Sequence, residues 1–442
     1  MGNYQGYQKY QDSGVEWLGD IPEHWRRSVF RYYFDIQLGK MLQNEPQSPN
    51  DDEISYLKAI HVRWDKVDTY ELPKMWASLR DREKYYVKNG DLLICEGGEV
   101  GRTALLKEIQ EECIIQNALH RVRPLKQSSV DYLNYLMRHI ADTGWFDILC
   151  NKSTIAHLTS EKVGALALPL PPLNEQQKIA QFLDYKTKQI DELIKKKETL
   201  IQKLDEKRTA LISHAVTKGL DSSVQMKDSG IEWLGDIPKH WKSIRIKFIG
   251  DIKYGLGEPP EQMDDGLPII RATDIYRGII DGSKVQRVNP DKVPWSRNPE
   301  LKVGDILVVR SGAYTGDSAI VSDEWAGAIA GYDMVLTPTK SYSKYIALNL
   351  LSKHILEGQI YLAKSRAAQP HLNAEELGNT IICLPPIKEQ KQIAEYLDQK
   401  TAQIDQQKAK IKEAIELLKE YRTSLITNAV TGKIDVSQVD IP

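Results

Sequence analysis

"LPPLNEQQKIAQFLDYKTKQIDEL" runs from Leu170 to Leu193, and "LPPIKEQKQIAEYLDQKTAQIDQQ" runs from Leu384 to Gln407, 214 positions later. A similarity this long at a fixed offset marks an internal duplication, which constrains the fold before any local signal does. Each copy opens on a proline pair, Pro171-Pro172 or Pro385-Pro386. Proline suits the first turn of a helix and not its interior. From Glu175 to about Ala215 there is no Pro or Gly. A helix of about 40 residues, roughly 60 Å long, is therefore expected.

Heptads counted from Leu183 place Leu183, Ile190, Lys197, Leu204 and Leu211 on one seam position, and Leu397, Ile404, Ile411, Leu418 and Leu425 in the second copy. The companion position, read as Leu193, Leu200 and Lys207, or Gln407, Ala414 and Tyr421, is less apolar. Two homologous rods in one chain can bury these stripes against each other, most simply antiparallel. The charges between them, Lys195 to Lys197 among them, read as a solvated face.

The repeat extends in both directions. "RTALISHAVTKGL" from Arg208 returns as "RTSLITNAVTGKI" from Arg422, with Gly219 and Gly432 marking the helix exits. Upstream, "DSGVEWLGDIPEHW" from Asp12 returns as "DSGIEWLGDIPKHW" from Asp228. Its glycines and proline punctuate Trp17, Leu18, Ile21 and Trp25, a compact turn-rich clamp whose indoles, Trp17 and Trp25 or Trp233 and Trp241, pack on a neighbouring surface. His24 and His240 have no second ligand nearby in sequence, and a packing or hydrogen-bonding role is expected for both.

Between these ends the copies diverge but stay in register. "NGDLLICEGGEVGRTAL" from Asn89 faces "VGDILVVRSGAYTGDSAI" from Val303, each a turn, a buried strand and a glycine-rich exit. "ISYLKAIHV" and "LPIIRATDI" add a strand to each copy, and "DYLNYLMRHI" and "KYIALNLLSKHI" carry helical periodicity. Each middle is a mixed α/β domain with its own core.

Composition narrows the function. The 442 residues carry 27% charged side chains and a formal net charge of -2, so the whole-chain balance points to no polyanionic partner. Four scattered cysteines form no C-x-x-C pair, and neither a zinc site nor a disulfide framework is expected. There is no apolar leader and no run long enough to span a membrane; a cytoplasmic protein is the expectation. P-loop, G-x-S-x-G, H-E-x-x-H and strand-linked G-x-G-x-x-G motifs are absent. "LPPL" and "CLPPI" put leucine where an amino-methyltransferase needs a polar residue. "EGGEVGR" (96–102) and "RSGAYTGD" (310–317) read equally as tight turns or as anion-binding nests beside nucleic acid.

Two divergent α/β middles, each entered by "DSG-EWLGDIP-HW" and closed by "LPP--EQ" and "RT-LI--AVT", resemble the DNA-specificity subunit of type I restriction-modification enzymes along essentially the whole chain. The resemblance implies an α/β protein with two target recognition domains separated by a pair of long antiparallel coiled-coil helices, a pseudo-two-fold internal repeat. On this reading residues 1–168 form the first recognition domain, 169–218 the first spacer helix and 219–227 a linker. Residues 228–383 form the second domain, 384–432 the second helix and 433–442 a tail. The chain itself would be non-catalytic and hold no cofactor or metal. It would read a bipartite site on double-stranded DNA and scaffold two modification subunits that methylate adenine N6 with S-adenosylmethionine. Restriction subunits using ATP and Mg would then join. The alternative is a duplicated helical scaffold that binds protein partners without DNA.

Residue type and position at strand-loop junctions nominate Lys58, His61, Arg63, Lys66, Arg102, Asn117, His120 and Arg123 for DNA contact in the first domain. In the second they nominate Arg271, Thr273, Asp274, Arg277, Arg310, Ser311, Tyr314 and Gln369.

Overall fold

The structure, a computed structural model, describes residues 4–150, 157–361 and 371–441. The chain divides into two compact units, residues 1–197 with 413–442, and residues 198–412. The expected pair of long helices is present as Leu173–Lys218 and Ile387–Val430. Each unit contains the start of one long helix and the end of the other.

In the first unit, a four-stranded sheet runs in the order Thr103–Leu105, Leu92–Cys95, Leu119–Pro124, Phe34–Leu38, and a three-stranded sheet in the order Cys113–Ile115, Asp52–Leu57, Lys74–Ala77. The second unit repeats both orders, as Ser318–Ile320, Ile306–Val308, Met334–Pro338, Gly250–Tyr254 and as Ile329–Ala330, Gln262–Ile270, Gln286–Val288. Leu92, Leu93, Ile94 and Cys95 are all fully buried, as are Ile306, Leu307, Val308 and Val309. Continuous apolar runs of this kind are what a strand covered on both faces requires. The strands that end in "ISYL" and "LPII" stop at Leu57 and Ile270, where the chain tightens into single 3-10 turns, Ala59–His61 and Ala272–Asp274.

The long helices are closed onto the α/β cores by equivalent bonds in each unit. Tyr132, buried in helix Val130–Asp142, donates its hydroxyl to the carbonyls of Pro169 and Val430 at 3.2 and 3.0 Å. Tyr345, in helix Ser343–Leu350, bonds Cys383 and Val216 at 2.7 and 3.4 Å. In both units one tyrosine therefore satisfies a carbonyl at the C-terminus of the other repeat's helix, a group the helix itself leaves open.

The opening stretch has a defined task. Trp25 Nε1 donates to Glu175 Oε1 at 2.9 Å and the His24 ring meets Oε2 at 2.9 Å; Trp241 and His240 hold Glu389 at 3.1 and 2.8 Å. Both glutamates lie in the first turn of a long helix, where a carboxylate also offsets the unpaired N–H groups. Trp25 and Trp241 are buried as expected. Trp17 is half-buried beside His139, while Trp233 stays 43% exposed, stacked on His354. After the helices, Gly219 and Gly432 adopt φ of 79° and 72°. A Cβ on Gly432 would come within 2.3 Å of Pro22, so the exit needs glycine for space as well as conformation.

Ion pairs show the helix direction within each unit. In the second, Lys408 meets Asp205 at 2.5 Å and Arg208 meets Asp405 at 3.9 Å, partner numbers running in opposite senses, as antiparallel packing demands. In the first, Arg422 meets Asp191 at 3.0 Å. Leu183, Ile190, Leu204, Leu397, Ile404 and Leu425 are buried, and Leu211, Ile411 and Leu418 half-buried. The companion seam position differs from the sequence reading by one residue. Leu193 and Leu200 are 43% and 46% exposed, and the inward positions are Thr187, Ile194, Ile201 and Arg208, with Thr401, Lys408, Ile415 and Arg422 in the second helix. Leucine and isoleucine are comparably apolar, so hydropathy does not choose between Leu193 and Ile194 or between Leu200 and Ile201; the direction of the helix face, set by the buried Leu183 and Ile190, does.

Candidate nucleic-acid interface

In the first unit the glycine-rich loop 96–102 is fastened to the turn that follows strand Asp52–Leu57. Arg102 donates to the Ala59 carbonyl at 2.8 Å and to Glu99 at 2.9 Å. Trp64 donates its indole N–H to Glu99, and Arg138 stacks on the Trp64 ring at 4.6 Å. Within that turn the Lys58 backbone N–H donates to His61 Nδ1 at 3.2 Å, and burial followed by the nearby Lys58 charge lowers the pKa of the ring. Arg63 and Lys66 flank the two-residue hairpin beyond it, both exposed, with Asp65 at φ 65° between them. Lys58, His61, Arg63, Lys66 and Arg102 are thus brought to one loop cluster.

Of the other three nominated residues of this unit, the side chains of His120 and Arg123 are engaged in the scaffold. His120 is fully buried, with its ring on the Leu158 carbonyl at 2.7 Å and on Ser160 at 3.3 Å. Arg123 grips Asp91 with two bonds of 2.6 and 2.7 Å, fixing the turn before strand Leu92–Cys95. Asn117 is half-buried, its backbone N–H on the Lys40 carbonyl at 2.9 Å.

The second unit builds the corresponding surface from different chemistry. Arg271 and Asp274 close the equivalent turn, Asp274 accepting from the Arg271 backbone at 3.0 Å and from its guanidinium at 3.3 Å. Asp274 is buried; Thr273 donates to it at 3.2 Å. Arg277 is exposed in a φ 43° turn, 4.0 Å from Asp205. Tyr314, 49% exposed, and the half-buried Ser311 lie on loop 310–317. Gln369 lies outside the described residues.

Arg310 opens the loop 310–317. Its guanidinium carbon sits 4.6 Å from the ring centre of Tyr254 and 4.3 Å from that of Tyr332, so two aromatic faces hold it. Asp333 Oδ1 accepts its backbone N–H at 3.1 Å, and burial pushes the Asp333 carboxyl up to about 6. A cavity of about 230 Å³ opens alongside, lined by Arg271, Thr273, Ser311, Tyr332 and Asp333 with apolar neighbours. Tyr254, Tyr332 and Asp333 were not among the residues nominated from sequence. They lie 56, 22 and 23 positions from Arg310, and only the sheet brings them together.

A cavity of about 550 Å³ lies elsewhere in the first unit, where Asp65, Asp131, Asp184, Asp191 and Glu192 are interleaved with Lys107, Lys188, Lys195 and Arg422. Among the described residues no group of three or more His, Cys, Asp or Glu is placed to hold a metal, and no helix is long and apolar enough to cross a membrane.

Comparison with known proteins gives this surface its context. The model of the type I restriction modification DNA specificity domain matches residues 77–203 and 238–417. The chain belongs to that family. It is similar along its length to the EcoBI specificity subunit of Escherichia coli, 24% identical over 96% of this chain and 89% of the relative. The MjaVIII specificity subunit of Methanocaldococcus jannaschii is 26% identical, with 95% of each chain covered. Among solved structures, a chain from a type I R-M system assembly covers 93% of this one and 98% of its own length with a TM-score of 0.69 at 17% identity. The HsdS subunit of Thermoanaerobacter tengcongensis covers 94% and 98% with a TM-score of 0.52 at 18% identity. The molecule is a type I specificity subunit, the non-catalytic component of such systems.

Proposed function

We propose that this specificity subunit reads a bipartite site on double-stranded DNA, one part per unit, with the paired helices setting the length of the unread gap. Two modification subunits dock on it and methylate adenine N6 with S-adenosylmethionine. Restriction subunits join with ATP and Mg, the cofactors residing on those partners, and the assembly works in the cytoplasm. The observation that carries this reading is that the two units share one strand order and one set of helix anchors, Tyr132/Tyr345 and Glu175/Glu389, but expose unlike loop residues. A scaffold that bound two identical partners would keep its loops alike. Readers of two different half-sites must differ there, while phosphate-positioning side chains such as Arg63, Lys66 and Arg277 can serve on either side.

Single-molecule sequencing of the host genome, with and without the gene, tests this. Loss of methylation at one motif, split by a constant gap, is the expected result. A methylome unchanged by deletion would contradict the reading and favour a protein-binding scaffold.

A further inference from the structure

Glu96 of the first unit and Arg310 of the second stand at the same place in the fold. Each follows the central buried strand, and each carbonyl accepts the backbone N–H of the leucine after the repeated histidine, Leu158 or Leu372, at 2.8 Å. The neighbouring positions correspond as well. Gly39 N–H bonds the Leu119 carbonyl at 3.0 Å and Gly255 N–H bonds the Asp333 carbonyl at 2.9 Å, which sets Leu38 opposite Tyr254 and Ala118 opposite Tyr332. The second unit thus carries a cation clamped by two aromatic rings where the first carries a carboxylate with neither ring.

We infer, resting on the DNA-reading function proposed above, that this one position is a base-discriminating contact of opposite polarity in the two units, Arg310 demanding a guanine and Glu96 a cytosine. In the major groove guanine offers two acceptors, O6 and N7, matched by a guanidinium fork, whereas cytosine offers an N4 amino donor, matched by a carboxylate. Each side chain would meet only repulsion from the other's base. Tyr254 and Tyr332, 44% and 46% exposed, hold the guanidinium in one plane before DNA arrives, so little rotamer freedom remains to be lost on binding. Arg310 Nη2 lies 3.5 Å from His371 Nε2, and its buried Nε has no partner among the described residues. The guanidinium is thus held mainly by stacking on the two rings, with no ion pair among the described residues to neutralise it.

The test is methylome sequencing of cells carrying the intact complex with R310A, R310K or E96Q. Substituting Arg310 is expected to relax one position of one half-site by about tenfold or more, and E96Q to relax one position of the other half to a similar degree, the gap unchanged. R310K keeps the charge and loses the fork, so it should relax the same base while melting like the parent. A motif unaltered by R310A and R310K, or relaxed in the same half by R310A and E96Q, overturns the inference. If the parent yields no gapped motif at all, it is the proposed function that fails.

Discussion

At the scale of single residues, the strongest claim concerns Glu175, whose carboxylate receives Trp25, His24 and the hydroxyl of Tyr7. Removing it leaves a buried indole N–H without a partner, and unsatisfied buried donors cost more than the bond they formed. Glu175→Ala should destabilise the first unit by about 2–3 kcal/mol in denaturant unfolding; a change below about 0.5 kcal/mol would refute the clamp. The repeated "HW" and "EQ" motifs were legible in the sequence as conspicuous, but their meeting was not, because His24 and Glu175 are 151 positions apart. The same limit applied to recognition. Residue type nominated the exposed Arg63 and the half-buried Arg310 alongside His120 and Arg123, which pack into the scaffold, because charge and hydrogen-bonding capacity do not reveal whether a side chain faces solvent or props a turn.

At the scale of elements, the long helices test how far periodicity can be trusted. The seam through Leu183, Ile190 and Leu204 was readable from spacing alone. The companion position was not, since Leu193 and Ile194, like Leu200 and Ile201, are adjacent and comparably apolar, and a three-residue and a four-residue step from Ile190 lie on nearly the same face. Burial of Leu204 and exposure of Leu200 make the assigned face testable: Leu204→Ala should cost about 2–4 kcal/mol and Leu200→Ala less than about 0.5. Equal losses at the two positions, measured by thermal or urea unfolding, would show the assigned face to be wrong. Tyr345→Phe should cost about 1–2 kcal/mol in the second unit alone, because two buried carbonyls lose one donor. Hydrogen exchange along helix Leu173–Lys218 would reveal it as faster opening near Val216. The α/β middles were legible as fold class, because "DLLIC" and "DILVV" can hardly be anything but covered strands, whereas their sheet orders depend on pairings no local pattern encodes.

At the scale of the whole molecule, the two units should answer acid differently. Burial holds His139 and His354 neutral, each lowered to about 4 from an ordinary 6.5. Once unfolded, either ring would take up a proton below pH 6.5, so its contribution to stability is complete above that pH and is lost as pH falls toward 4. For the deeply buried His139 this amounts to about 3 kcal/mol. In the second unit Asp333, raised to about 6, acts in the opposite sense, its contribution lost as pH rises through 6. The first unit, where burial also lowers His61 and His120 and raises Asp131, retains the larger net excess of histidines. Local hydrogen exchange at pH 7 and pH 5 should therefore show the first unit losing more protection than the second. The central claim, that each unit reads its own half of the site, is tested most directly by replacing residues 226–383 with residues 10–169 in the intact complex and sequencing the methylome. Two inverted copies of the first half-site separated by the original gap are predicted; retention of the parental second half-site would contradict the account.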